Sequence, residues 1–394
     1  MAQEVIGARM ARLPAESRPL EQCVGQTLRE DVFAERDNPP FDRACMDGIA
    51  ISSNALARGQ RQYRIAGVQP AGSPALSLSS DVFAIEVMTG AMMPSGTDCV
   101  VPLEEYDLLD GLVSLKEKAQ GEPYRNVQRR GSDSQPGVPM LTAGTRLGAP
   151  EIAVVASAGL ATVRVTRQPR LVVVSTGDEL IEPGEPIEEH QVRRSNAYAV
   201  VAALREHGFQ GVSNDHIHDN EEMLRARLSQ HLGSCDVLIL SGGISKGKFD
   251  LVPTALKSLQ VEEVFHQVAQ RPGMPMWFGV GPAGQVVFGL PGNPVATLIC
   301  LIRYVIPALA TAMGLPHPLP EPIALAAAVK RGRPMTSYIP VEIQHHPSGR
   351  PLALPRAPNG SGDFLALAGT AGFMELPPQA EPYPEGFVAN VYRW

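Results

Sequence analysis

Three short stretches hold most of the chemistry this chain could do. Ser175-Thr176-Gly177-Asp178-Glu179 follows the apolar run 171–174. Ser241-Gly242-Gly243-Ile244-Ser245-Lys246-Gly247-Lys248-Phe249-Asp250 follows the apolar run 237–240, and Gly289-Leu290-Pro291-Gly292-Asn293-Pro294 follows Val286-Val287-Phe288. Each reads as a loop leaving the C-terminal end of a buried strand, the edge at which open α/β sheets bind ligands. Glycine loops that open onto helix starts present backbone N–H groups to anions. Asp178, Glu179, Asp219 and Asp250 lie in or near these connections and add hard oxygen donors. That combination suits a magnesium ion bridging to a phosphorylated substrate, although Asp178 and Asp250 also stand where they could cap helices.

Two familiar patterns in the same region do not survive inspection. Gly242-x-x-x-x-Gly247-Lys248 follows a phosphate-binding P-loop until Phe249, which replaces the hydroxyl residue that ligates magnesium. Gly279-x-Gly281-x-x-Gly284 has dinucleotide-fingerprint spacing, but a strand follows it where a helix should open, so it reads as a hairpin turn. His216 and His218 form H-x-H without a nearby cysteine or second histidine pair. They read as surface residues or as braces for a neighbouring ligand group.

The elements that must position the loops alternate. Strands are expected at 171–174, 211–217, 237–240, 276–279 and 286–288, and helices at 195–207, 221–231, 251–259 and 294–313. Ser195 is the expected N-cap of the first of these helices and Gly208 its stop. Such alternation over about 145 residues means an α/β layered domain with a mainly parallel sheet. Upstream, residues 1 to about 35 read as one or two helices, broken by Asn38-Pro39-Pro40. Short strands at 48–52, 63–68, 82–88 and 99–102 make a small β domain with a long, mobile loop at 89–96. Helix 149–159 is expected to pack with the N-terminal helices, leaving the β domain as an insertion. Beyond 317, proline-separated strands suggest a β barrel or sandwich. The expected domains are 1–38 with 135–168, 39–134, 169–316 and 317–394.

Composition narrows the class. The chain has 394 residues, too many for one ordinary core, and 44% are hydrophobic, as in a globular protein. No apolar run approaches the ~18 residues of a membrane span. A formal net charge of −7 argues against a broad nucleic-acid surface. The five cysteines are scattered and odd in number, which fits neither a disulfide framework nor a zinc site. Met-Ala-Gln-Glu-Val-Ile at the start has neither the basic region nor the apolar core of a signal, so a cytoplasmic location is expected.

Taken together, the three loops resemble the signature loops of the molybdopterin molybdenumtransferase (MoeA and gephyrin E-domain) family. The resemblance extends, in family order, to Met46-Asp47-Gly48-Ile49-Ala50, Met88-Thr89-Gly90-Ala91, Arg129-Arg130-Gly131-Ser132-Asp133 and Arg271-Pro272-Gly273. It implies a linking domain, an inserted β domain, an α/β domain like that of molybdopterin adenylyltransferase, and a C-terminal β barrel. It also implies a homodimer whose site is shared between subunits, with Asp47, Thr89 and Asp133 arriving from the partner. The substrates would be adenylylated molybdopterin and molybdate, with magnesium required and AMP released.

Carried over position by position, the resemblance makes Glu179, Asp219 and Asp250 the metal and catalytic carboxylates, with Asp47 and Asp133. Ser175, Thr176, Gly177, Ser241, Gly242, Gly243, Ser245, Lys246, Lys248, Arg271, Gly292, Asn293 and Ser361 become binding residues, and Pro291 and Pro294 shape a molybdate pocket. Molybdopterin adenylyltransferase is the implied partner protein.

Departures are visible. Arg271-Pro272-Gly273-Met274-Pro275 stands where the family commonly has Lys-Pro-Gly-Lys-Pro, so Met274 loses a charge. An arginine common in the barrel is replaced near Tyr338-Ile339-Pro340, while Lys246 and Lys248 are additional cations. Two rival readings remain: a non-catalytic molybdopterin-binding scaffold, and the adenylyltransferase itself, which lacks regions corresponding to 1–168 and 317–394. On the catalytic reading, Asp219→Ala or Asp250→Ala lowers turnover by on the order of 10²-fold. Unchanged AMP release from either variant would remove that carboxylate from the mechanism.

Overall fold

In the computed structural model, residues 1–394 are described except 245–250, 317–318, 331–334, 361 and 380–381. The chain forms two compact units. One contains Ser17–Val24 and Leu28–Val163; the other contains Met1–Glu16, Gly25–Thr27 and Arg164–Trp394.

The first unit is built on a six-stranded sheet of β1 (Gly48–Ile51), β2 (Gln62–Gln69), β3 (Phe83–Val87), β4 (Cys99–Pro102), β5 (Tyr106–Leu109) and β6 (Leu112–Leu115). Its order is β4-β1-β3-β2-β6-β5. The first four strands follow the sequence expectation. The β5–β6 hairpin was not anticipated; it turns at Asp110-Gly111, both with positive φ, as a tight two-residue turn requires. The loop at 89–96 is not loose. Backbone bonds from Ala44, Gly90 and Met93 tie it to 42–44, and Ala91 and Met93 are buried.

The second unit begins with helix Ala2–Arg9, the only helix before residue 35. Pro14 and Pro19 disfavour continuation, and a strand (Ala15–Pro19) and a 3₁₀ turn (Leu20–Gln22) follow instead. Helix Ala149–Ser157 meets the N-terminal stretch, as expected, through its second helical piece. It packs on the Leu20–Gln22 turn within the first unit, whereas Ala2–Arg9 packs on Ile306–Met313.

The second unit's α/β sheet consists of β7 (Leu171–Thr176), β8 (Val212–Ile217), β9 (Val237–Ser241), β10 (Glu262–His266), β11 (Trp277–Val280) and β12 (Val286–Leu290), ordered β8-β7-β9-β12-β11-β10. Strands β8, β7, β9 and β12 are parallel; β11 runs antiparallel beside β12, and the Gly281–Gly284 turn closes that hairpin. Alternate residues of β7 enter opposite cores. Leu171 and Val173 join helix α1 (Ser195–Glu206), while Val172 and Val174 join α2 (Glu221–Leu232) and α3 (Val252–Ser258). Helix α2 starts where the Asn220 side chain accepts the Met223 N–H at 2.9 Å, and it buries Leu224, Leu228 and Leu232 at four-residue spacing. Helix α1 is preceded by Arg194 at its N-cap, not by Ser195, and no side chain caps it.

The expectation that nothing here is long and apolar enough to span a membrane needs correcting. The continuous helix Pro294–Met313 meets that description over 20 residues, and most of it is buried inside the protein. It is the core helix beneath the sheet, interrupted by a π-helical turn at Leu301–Val305. Beyond it, β13 (Glu321–Leu325), β14 (Thr336–His345), β15 (Pro351–Pro355), β16 (Gly372–Leu376) and β17 (Val388–Arg393) close into a barrel in the order β14-β15-β13-β17-β16-β14.

At the sheet edge opposite the loops, Asp236 accepts paired bonds from Arg167 (2.9 and 3.0 Å) and bonds from the Arg170 side chain and backbone N–H. Burial raises the Asp236 pKa, but the arginine bonds outweigh it and hold the carboxyl well below the usual range. A depressed folded-state pKa stabilises above the unfolded value, near 4, and the contribution disappears as pH falls through the folded pKa. Asp236→Asn therefore costs about 2 kcal/mol at neutral pH. The variant also loses less stability than the native protein between pH 5 and 2, as read by urea unfolding followed by tryptophan fluorescence.

Candidate functional site

The site forms where the strand order reverses. From β7 the chain crosses to β8 on one side and then returns to β9 on the other, so a crevice opens between the C-terminal ends of β7 and β9. Parallel register brings the loop starts to one level: Ser175 pairs with Ser241, and Ser241 with Leu290.

The three loops touch. A Cβ added to Gly242 would come 3.0 Å from the Thr176 carbonyl oxygen, and one on Gly292 would come 3.6 Å from the Gly242 Cα. Gly242 and Gly243 both have positive φ, and a side chain at Gly243 would strike Thr176 Oγ1 at 2.6 Å and Val252 at 2.8 Å. Asn196, in the first turn of α1, joins the second and third loops by donating to Ser241 Oγ (3.1 Å) and to the Gly292 carbonyl (2.8 Å).

Those two bonds occupy the Asn196 amide N–H groups and leave its Oδ1 without a partner among the described residues. Ser175 Oγ and Thr176 Oγ1 likewise have no partner among the described residues, and both residues are at most 5% exposed. Ser175 and Thr176 follow each other along β7 and face opposite sides of the sheet, so these polar atoms lie on both sides of its C-terminal end, where burial without a partner is costly. Neighbouring Arg194 is buried too; it pairs with Glu182 and donates to Asn214 Oδ1 at 2.6 Å, and its Nε has no partner among the described residues.

Around the first loop, His216 Nε2 donates to the Gly177 carbonyl and His218 Nδ1 to Asp178 Oδ1, each at 2.9 Å. The Asp219 N–H also reaches Asp178 Oδ1, at 3.2 Å. The His218 bond first, and then the Asp219 N–H, hold the Asp178 carboxyl below its ordinary range. Asp178 thus fastens the turn after β8 to the turn after β7, leaving the Asp219 carboxylate exposed beside it. Glu179 is exposed on the same turn. Pro291 is buried and its carbonyl accepts Thr297 Oγ1 at 2.6 Å, while Asn293 Oδ1 caps the helix that begins at Pro294.

Of the remaining sequence-derived site residues, Asp250, Ser245, Lys246, Lys248 and Ser361 lie outside the described residues. Asp47, Thr89 and Asp133 belong to the other unit. Asp47 accepts the Thr89 N–H (2.6 Å) and hydroxyl (2.8 Å), and those bonds, backbone first, lower its pKa. Asp133 accepts Gln128 Nε2 at 2.9 Å. Among the described residues no group of three or more His, Cys, Asp or Glu side chains forms a metal cluster. Magnesium does not require one, because it binds through one or two carboxylates with water and substrate phosphates completing its shell. The exposed carboxylates of Glu179 and Asp219 fit that role.

Family models match the chain in three consecutive blocks: the MoeA N-terminal region (domain I and II) over residues 1–159, a probable molybdopterin binding domain over 172–311, and the MoeA C-terminal region (domain IV) over 322–394. The chain belongs to the molybdopterin molybdenumtransferase (MoeA) family. Membership makes it a transferase of molybdenum cofactor biosynthesis. A molybdopterin molybdenumtransferase of Synechocystis is 36% identical over 394 residues, covering 100% of this chain and 98% of the relative. One from Bacillus subtilis is 31% identical over 94% of this chain and 88% of its own. A solved structure of a molybdopterin biosynthesis MoeA protein from Pyrococcus horikoshii superposes with a TM-score of 0.81 at 28% identity, covering 100% of this chain and 97% of that one. Because the matches include the flanking regions and the relatives are transferases by name, neither rival reading is favoured.

Sequence reasoning missed Asn196 and Arg194 as members of the site. Asn196 follows Ser195, the expected cap, and nothing in its sequence neighbourhood announces that it ties two distant loops together. Thr176→Val tests the orphaned hydroxyl directly. Replacing an unsatisfied buried polar atom by an isosteric methyl raises stability by about 1 kcal/mol, seen as a higher Tm. It also weakens binding of the pterin substrate about tenfold.

Proposed function

We propose that this chain inserts molybdate into adenylylated molybdopterin, cleaving the phosphoanhydride in a magnesium-dependent step that releases AMP. The observation that carries this reading is the match to the family along the chain's length, with Ser175 Oγ, Thr176 Oγ1 and Asn196 Oδ1, which have no partner among the described residues, at the strand-order reversal. Two hydroxyls that can donate or accept, with one carbonyl that can only accept, suit the mixed donor and acceptor edge of a pterin. The glycine pair 242–243 lets a bulky ligand approach the backbone, and Asn196 keeps the second and third loops at a fixed separation.

Glu179 and Asp219 present their carboxylates to the pyrophosphate end, and Asp178 holds the turn that carries Asp219. Asp250 is proposed as the further metal ligand, with Ser245, Lys246 and Lys248 along the second loop. When bound, magnesium neutralises charge that develops on the phosphates. The protein acts as a cytoplasmic homodimer of four-domain subunits, divided as in the sequence reading, and Asp47, Thr89 and Asp133 complete the site of the partner subunit. Molybdopterin adenylyltransferase is the partner that hands on the adenylylated substrate.

Purified protein incubated with adenylylated molybdopterin, molybdate and magnesium releases AMP, and omitting either molybdate or magnesium abolishes the release. Tight pterin binding with no AMP under the full mixture would contradict the enzymatic reading and favour a scaffold.

A further inference from the structure

Between Glu179 and Asn196 the chain makes an excursion away from the sheet. Its neck is a short parallel pair, with Leu180 opposite Val192 and Ile181 opposite Arg193. The Val192 N–H donates to the Glu179 carbonyl at 2.8 Å, and the Arg194 N–H to the Ile181 carbonyl at 3.0 Å. Arg193 closes the neck further by donating to the Glu182 and Glu185 carbonyls, at 2.8 and 2.7 Å.

One carboxylate fastens this excursion to helix α1. Glu182 pairs with Arg194, the residue just before the helix, and accepts the hydroxyl of Tyr198, one turn further on, at 2.9 Å. Arg194 also reaches the sheet itself through Asn214, which lies opposite Val173 in the β7–β8 register. The arginine side chain is only 4% exposed, and its Nε has no partner among the described residues. A buried ion pair is a poor source of stability, because desolvation offsets most of its attraction and an apolar pair of similar volume packs as well. What the planar guanidinium does supply is direction, holding two elements at one separation.

The two elements carry opposite ends of the crevice. Three residues before Glu182, the Glu179 carboxylate rests over Gly177, where an added Cβ would lie 2.3 Å from Glu179 Oε2. Two residues after Arg194, Asn196 holds Ser241 and Gly292.

We propose that Arg194, with Glu182 as its counter-charge, is a positioning residue that sets the separation between the Glu179 carboxylate and Asn196. Neither member of the pair touches substrate. The inference rests on the proposed function, in which Glu179 meets the pyrophosphate end with its magnesium and Asn196 meets the pterin end. A substrate anchored at both ends needs its anchors correctly spaced, so loosening the pair costs the contribution that requires both and spares what one end supplies alone.

Calorimetric titration of the full chain with adenylylated molybdopterin, with molybdate omitted, reads that spacing without turnover. Magnesium tightens binding to the native protein. The double variant Glu182→Leu/Arg194→Met removes the pair and roughly keeps its volume. Its metal-free affinity stays within about twofold and its Tm within about 4 °C, while the tightening by magnesium falls about tenfold. By linkage, the magnesium concentration for half-maximal AMP release rises by a similar factor. Tyr198→Phe removes only the hydroxyl bond of an exposed ring, and it lowers the tightening about threefold; it carries the test if the double variant does not fold. Magnesium that leaves the native affinity unchanged, or tightens native and variant proteins equally, overturns the proposal. A loss of metal-free affinity as large as the loss of tightening also overturns it, since a merely structural role would weaken both alike. Tightening that depends on the pair in a protein that releases no AMP upholds the positioning role and overturns the transfer reaction.

Discussion

The parallel register of β7, β9 and β12 is the constraint on which the rest depends. Because Ser175, Ser241 and Leu290 stand opposite one another, three loops far apart in sequence leave the sheet at the same height. A slip of one residue in β7 would exchange its two faces and put Val172 and Val174 into the wrong core. The same slip would turn the Ser175 and Thr176 hydroxyls away from their present positions. Core packing therefore sets the site geometry: the residues that bury the strands also decide where the hydroxyls point.

Within that frame the site is organised by short polar links. Asn196 ties the second loop to the third, and Asp178 ties the turn after β7 to the turn after β8. Both are made by side chains from the starts of helices or from turns, where the backbone leaves the regular ladder. What these links leave over is as informative as what they satisfy. Buried atoms without partners are rare in folded proteins, and among the described residues Ser175, Thr176 and Asn196 each leave one near the loop ends. The opposite edge of the sheet shows the alternative state of affairs, with Asp236 paired to two arginines.

How much of this was legible in the sequence follows from what each signal measures. Buried strands announce themselves by continuous apolar runs, so β7, β9 and β12 and the loops at their ends were readable, as was the expectation of mainly parallel pairing. The β5–β6 hairpin carries its signal in the Asp110-Gly111 turn, but its flanking leucines lack the clean alternation that marks a half-buried strand. The 89–96 loop looked loose from its glycines and its proline, but hydrogen bonds to 42–44 pin it, and no local pattern encodes a partner forty residues away. His216 and His218 were recognised only as surface groups or braces; bracing is what they do, on Gly177 and Asp178. Asn196 was invisible for the same reason that it matters, since its partners are distant in sequence.

The central claim is that the crevice formed by the three loop ends holds the pterin substrate. Amide hydrogen exchange of the full chain, with and without adenylylated molybdopterin at saturation, tests it most directly. The account predicts slowed exchange at 175–179, 241–244 and 289–293, with the sheet edge around Asp236 unchanged. Saturated binding that leaves those three segments unprotected would contradict it.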